Sequence, residues 1–548
     1  RLLVDHPPYV RTAKGLLGLD EFEDLLDRVI LPTESHGKLG GKASGLFLAQ
    51  KIIEQAGVEG KHGECGQVKI PKTFYLVTDA QLRFMEHNDL QDLFEQKYRE
   101  IDEVRDQYPN IVQMFKHATF PSEVVHGLSA VLDDLGDVPL VVRSSSLLED
   151  SYGTAFSGKY KSLFLPNQGT KRERLDAMLD AIAEIYASIF GPDPIAYRRE
   201  RGLTDLHEEM GILIQEVVGR RVGRYFFPAF AGVAFSNNEF RWSPRLERED
   251  GLVRLVPGLG TRAVDRVGDD YPVLVVPSKP QLRANTSVEE IVRYAPRRMD
   301  ALNLETRRFE TVEIDELLKE HGEGLPWLGK VFSVHEPPDV LRPASSLLCD
   351  PSKDTLVATF DGLVAKTSFV KQIRAILDVL QETLDTPVDI EFACDGEVLY
   401  LLQCRPQSYA EESAPAPIPV DIPEERVVFS ARKHISNGAL PPITHVVYVD
   451  PERYGALGSR EEMLLVARAV GKLNKILPKR QFILLGPGRW GSRGDIKLGV
   501  AVTYADICNT SMLVEIARRK GNYVPDLSFG THFFQDLVES RIRYLPLY

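Results

Sequence analysis

Residues 388–407 read VDIEFACDGEVLYLLQCRPQ. Apolar positions recur on both sides of Asp395-Gly396, a pair that marks a tight turn, so the stretch predicts a β-hairpin. Pairing register then decides which side chains share a face. A two-residue loop would pair Cys394 with Glu397 and send Gln403 to the apolar side. A three-residue loop pairs Cys394 with Val398, Phe392 with Tyr400, Ile390 with Leu402 and Asp389 with Gln403. The apolar pattern selects the odd loop, with Asp389, Glu391, Gln403 and Arg405 gathered on the opposite face. Two carboxylates and an amide oxygen suit Mg²⁺, which takes a few protein oxygens alongside phosphates and waters. An adjacent guanidinium can hold a phosphate through its planar fork. The plainer alternative is a solvated hairpin face carrying ion pairs.

At 548 residues the chain is long enough for two to four domains at roughly 150 residues each. No apolar run approaches the ~18 residues of a membrane span. A formal net charge of −13 disfavours a general grip on nucleic acid and favours small-molecule or protein partners. Five cysteines, scattered and without metal-ligand spacing, point to a reducing cytoplasm. The chain opens at Arg1 with neither Met nor a signal-peptide pattern, which leaves room for an upstream domain.

Patterning divides the chain into four parts. Residues 1–30 form an extension in which LDEFEDLLDRVI is an amphipathic docking helix. Residues 31–408 are mixed α/β, with a helix expected over 80–103, a strand DVPLVVRS ending on Arg143, a helix over 172–190, strands ILIQEVV and AGVAFSNN, and less regular structure over 275–365. Residues 409–425 carry EESAPAPIPVDIPEE, whose prolines favour an extended linker. Residues 426–548 read as a smaller α/β domain containing strands HVVYVD, QFILL and LGVAVTYAD and a helix over 459–476.

Two further stretches carry chemistry. VVRSSSLLEDSYGTAFSG (141–158) offers a guanidinium, hydroxyls and accessible N–H groups around Gly153 and Gly158, a set able to cradle phosphates. KLGGKASG (38–45) is a glycine turn at a helix start with Lys42 beside it, suited to anions. Each alone also fits an ordinary loop or cap.

In series, GGKASG, VRSSSLLED, ILIQEVV, AGVAFS, GLG and DIEF…LLQCRPQ resemble the nucleotide-binding domain of the phosphoenolpyruvate synthase and pyruvate phosphate dikinase family over about Gly37 to Gln407. The resemblance implies an ATP-grasp fold of two lobes, ATP and Mg²⁺ as cofactors, and dikinase-like phosphoryl transfer yielding AMP and phosphate. By position it implies Lys42 and Ser144 at the ATP phosphates and Arg143 and Arg405 at the transferring groups. Asp389, Glu391 and Gln403 are implied as the Mg²⁺-linked triad, and Gln215, Glu216 and Val218 as the hinge along adenine. One departure is Thr261, where the family usually has glutamate after Gly258-Leu259-Gly260; Asp265, Asp269 or Asp270 are candidates to compensate.

The family's phosphohistidine signature does not follow the linker, and the tail is too short for its barrel domain. The acceptor is therefore unassigned, and an ATP-sensing regulatory module or one subunit of a split phosphotransferase stand as alternatives. FILLGPGRWGSRGDIKLGV in the tail matches G-x-G-x-x-G, with Asp506 placed 20 residues after Gly486. A dinucleotide fingerprint needs a helix to open there, and a strand is expected instead. A structural glycine turn is the leading reading, with a phosphate-binding loop built on Arg489 and Arg493 behind it. His434, His445 and His532 are expected to be packed or surface histidines rather than phosphoryl acceptors.

Overall fold

The computed structural model describes residues 2–3, 7–58, 68–149, 158–239, 242–243, 245–264, 271–323, 325–344, 349–407, 422–431, 439–491, 499–517 and 532–547. Asp265, Asp269, Asp270, Gly153, His434, Arg493 and the His532 side chain lie outside the described residues. Among the described residues no helix is long and apolar enough to cross a membrane, and Cys349, Cys394, Cys404 and Cys508 are free thiols. The class is α/β, as expected.

The first sheet runs in the order Val29–Ile30, Thr73–Leu76, Met210–Glu216, Leu140–Ser146, Ser162–Leu165. Val29–Ile30 pairs in parallel with Tyr75 and Leu76, so the helix expected over LDEFEDLLDRVI stops at Leu26 and its last apolar pair joins the sheet. The helix expected over 80–103 is likewise divided. Asp79–His87 ends before Asp89, which sits at φ 54°, and a 3₁₀ turn Gln91–Tyr98 precedes the helix Ile101–His117. The helix Lys171–Ala187 closes one face of the sheet; Thr170 and Glu173 form its capping box, satisfying N–H groups that the first turn leaves open.

The second sheet is antiparallel, in the order Val273–Val275, Leu252–Val256, Phe230–Phe235, Val388–Cys394, Leu399–Pro406. The interval 275–365 is more regular than its sequence suggests. Arg298–Asn303 and Arg308–Glu313 join Tyr225–Phe227 and Arg220–Val222 in a four-stranded sheet, while Phe332–Glu336, Val340–Pro343 and Thr355–Ala358 make a three-stranded one.

The hairpin register corrects the odd-loop expectation. Cys394 pairs with Leu399 across an even loop, and Asp395 Oδ1 accepts the N–H groups of Glu397 and Val398. Parity changes further along, at a bulge beside Glu391/Phe392 that leaves Leu402 as the extra residue. Below it Glu391 faces Gln403 and Asp389 faces Arg405, not Gln403. A bulge inserts one residue and so shifts which face follows. The four polar residues still share a side. Leu399, Leu401 and Cys404 join the core in place of Tyr400 and Leu402, which pack around Val218 and Ala393 instead.

The tail sheet is parallel, in the order His445–Tyr448, Phe482–Pro487, Met512–Ile516, Arg543–Leu547, and the helix Arg460–Ile476 is capped by Ser459 and Glu462. The strand expected over LGVAVTYAD is absent from its described residues. Gly499 bridges singly to Gly488, and the chain then turns into a 3₁₀ segment Tyr504–Asp506 stabilised by Asp506 accepting from Thr503. Val500, Val502 and Tyr504 are buried and alternate with half-buried neighbours, so the segment keeps a strand's period of two without a strand's pairing. Tyr504 inserts into the core of the first lobe, the one built on the first sheet.

Candidate functional site

The two main sheets enclose a cavity of about 820 Å³. Its walls include Val141, Arg143, Gln215 and Glu216 from the first sheet and Gly232, Val233, Glu391, Gln403 and Arg405 from the second, with Lys42, Val217, Val218, Gly260 and Thr261 at the edges.

Lys42 enters from the helix Gly41–Val58. Gly40 sits at φ +85°, and a Cβ on Gly40 or Gly41 would overlap the carbonyl oxygens of Ser145 and Glu149. Glycine therefore permits the helix start to press against the 145–149 turn. Ser145 Oγ accepts the Ala43 N–H at 3.0 Å. Lys42 Nζ lies 2.5 Å from Glu149 Oε1 and donates to Ser144 Oγ at 3.0 Å. The serines of RSSSLLED thus orient Glu149: Ser144 Oγ donates to it, and it accepts the Ser146 N–H, each at 3.0 Å. Glu149, 1% exposed, escaped the sequence reading. Its signal was an acid closing a serine turn five residues after Ser144.

Arg143 links the sheets. Its Nη2 donates to Glu391 Oε2 at 2.6 Å and to Gln403 Oε1 at 2.5 Å. Behind them Arg405 Nε donates to Asp389 Oδ1 at 2.7 Å, with both side chains buried. Burial pushes the Asp389 carboxyl above its usual range, and the Arg405 charge opposes that shift. Gln215 lines the cavity while its amide donates to Thr73 Oγ1 at 2.9 Å.

At the edge where glutamate was expected, Thr261 Oγ1 donates to Asp300 Oδ2 at 2.5 Å. Asp300 Oδ1 also accepts from Arg262 Nε at 3.0 Å and Thr311 Oγ1 at 2.7 Å. Asp300 was missed because it lies 39 residues from Thr261 in an irregular-looking interval. Of the sequence-predicted residues, Lys42, Arg143, Gln215, Glu216, Val218, Glu391, Gln403 and Arg405 line the cavity, whereas Ser144 and Asp389 are buried behind its lining.

Among the described residues five cations border the cavity, and each is paired with an acid: Lys42 with Glu149, Arg143 with Glu391, Arg405 with Asp389, Lys161 with Glu184 and Lys159 with Asp536. Such a wall can exchange carboxylates for ligand phosphates without leaving a cation bare. Among the described residues no three His, Cys, Asp or Glu side chains cluster as a protein-only metal cage. Glu391 and Gln403 instead present two hard oxygens on the wall, a donor set that fits an ion bound mainly by phosphates and water.

The family model "Pyruvate phosphate dikinase, AMP/ATP-binding domain" matches residues 36–426. Among curated proteins, a rifampicin phosphotransferase of Bacillus subtilis is 28% identical over 208 residues, 35% of this chain and 22% of the relative. A phosphoenolpyruvate synthase of Pseudomonas aeruginosa is 25% identical over 357 residues, 62% of this chain and 38% of the relative. A probable phosphoenolpyruvate synthase of Methanocaldococcus jannaschii is 22% identical over 380 residues, 66% and 26% of the two chains. This chain thus spans well under half the length of each of these relatives.

Proposed function

For a chain that belongs to the pyruvate phosphate dikinase AMP/ATP-binding family, we propose that the cavity binds Mg-ATP and that the protein transfers its phosphoryl groups to an acceptor. The observation that carries this reading is the Arg143 bridge to Glu391 and Gln403, which brings a guanidinium and two oxygen ligands from opposite sheets to one wall. Gln215, Glu216 and Val218 flank the adenine, and Lys42 and Arg143 face the polyphosphate. Glu391 and Gln403 would hold Mg²⁺; Asp389, expected as the third member of that set, is off the cavity wall and paired with Arg405, and so positions that arginine instead. When bound, Mg²⁺ offsets charge on the phosphate oxygens.

The protein's own contribution is electrostatic and geometric. Arg143 leaves Glu391 and Gln403 for the transferring group, Arg405 stays oriented by Asp389, and the two sheets hold donor and acceptor in line. The domain scheme 31–408 for nucleotide, 409–425 as linker and 426–548 for supplying or selecting the acceptor belongs to the same proposal. Incubation of the purified protein with ATP and Mg²⁺, resolving AMP, ADP and phosphate, tests it. AMP plus phosphate supports dikinase chemistry, and ADP alone indicates a simple kinase or ATPase. Tight binding without turnover overturns the enzyme reading and leaves a nucleotide-sensing module.

A further inference from the structure

Four of the five cavity cations are paired by residues within 31–408, but Lys159 is paired from the tail. Its side chain is 3% exposed, and its ammonium bonds Asp536 on the C-terminal helix His532–Glu539. The ammonium also lies over two rings, 5.5 Å from the Tyr197 centroid and 5.0 Å from that of Tyr504. Tyr197 belongs to the first lobe and Tyr504 to the tail, and their rings sit 5.7 Å apart. Around this point Tyr504 bonds Glu200, Arg105 pairs with Asp506 at 2.9 Å, and Lys475 pairs with Asp102 at 2.9 Å. Lys159 is therefore at once a residue of the nucleotide cavity wall and the ionic centre of the tail's docking surface.

A lysine ammonium is a point charge on a flexible four-carbon stem, so one residue can serve two anions in turn. The negative ligand the cavity is read to take competes with Asp536 for the same cation. We propose that Lys159 is a polyphosphate-binding residue held by the C-terminal unit, so that nucleotide binding and tail docking oppose one another through it. The proposal rests on the nucleotide reading above. Thermodynamic reciprocity then requires that ATP loosen the tail by the same factor that a docked tail weakens ATP.

The test uses the full chain and ATP with Mg²⁺ as the probe. Wild-type binding is measured first; absence of binding overturns the nucleotide reading itself, before any variant is made. Given binding, Asp536→Asn is expected to tighten ATP about fivefold or more, the low end of ordinary allosteric coupling. Lys159→Met weakens ATP and abolishes the effect of Asp536→Asn in the double variant. Unchanged or weaker binding by Asp536→Asn, or an equal shift with and without Lys159, overturns the proposal. Should Asp536→Asn not fold, hydrogen exchange over residues 532–547 of the wild-type protein decides. Faster exchange with ATP supports the coupling, and unchanged or slower exchange overturns it.

Discussion

Two glycine-rich stretches, KLGGKASG near the start of the chain and GPGRWG in the tail, look alike as strings and serve different ends. At Gly40 and Gly41 the missing Cβ is replaced by backbone of the 145–149 turn, and the approach delivers Lys42 to the cavity wall. At Gly486 a Cβ would strike the Trp490 indole, and at Gly491, φ +65°, the Phe533 ring. Trp490 is fully buried; its backbone N–H donates to Glu515 Oε1 at 2.8 Å, and the Tyr544 hydroxyl donates to the other oxygen at 2.6 Å. Glycine content alone does not mark an anion loop. What fills the space each Cβ vacates separates a site from a packed turn.

The largest effect that would sharpen this contrast is on turnover. Arg143→Ala removes the bridge between the sheets and is expected to lower ATP turnover about 1000-fold, near the upper range for loss of one preorganised charge donor, in a steady-state assay of AMP and ADP. A loss under tenfold would mean that the bridge is structural only. Asp300→Ala addresses the opposite edge of the same cavity. It strands Arg262 in a buried setting where both partners are 7% exposed, and about 3 kcal/mol of stability is expected to go, read from denaturant unfolding.

The hairpin, the glycine turn and the serine loop were readable because each carries its chemistry within about twenty residues. The polar face came through although the pairing did not: a bulge at Leu402 changes parity without any residue type that announces it. Asp300 was invisible for another reason, since its partners Thr261 and Arg262 come near only in the fold; Glu149 had a local signal in its serine partners, and only its pairing with Lys42 needed the fold. In the tail two of the four strands, His445–Tyr448 and Phe482–Pro487, were legible as apolar runs, while Met512–Ile516 and Arg543–Leu547 were not. The misread was LGVAVTYAD, where valines and a tyrosine suggested a strand, but Val500 and Val502 fill the tail core and Tyr504 that of the first lobe.

A glycine exchange in each region puts the comparison at direct risk. Gly41→Ala is expected to weaken ATP binding at least about tenfold, roughly 1.4 kcal/mol, because the helix start must retreat from Glu149. Gly491→Ala, strained by its positive φ and crowded by Phe533, is expected to lower the unfolding midpoint without weakening ATP. If titration calorimetry shows both variants losing affinity alike, the tail turn is part of the nucleotide site after all.

The most gradual effect, spread over a range of pH, concerns the floor beneath the serine loop. Glu208, buried, is pushed up to about 7 by loss of water, with the Arg198 charge opposing the shift, and its Oε1 accepts the Leu148 N–H at 3.4 Å. An acid raised on folding binds its proton more tightly in the folded state, so stability falls as pH rises between the unfolded and folded values. The window runs from about 4.5 to about 7; below it both states are protonated, and above it the cost is constant. Glu208→Gln removes this dependence. The difference between wild-type and variant unfolding free energies should change across that window, by at most about 1.4 kcal/mol per pH unit, and be flat above it. A difference flat throughout would show that Glu208 stays ionised, with Arg198, 3.9 Å away, outweighing its burial.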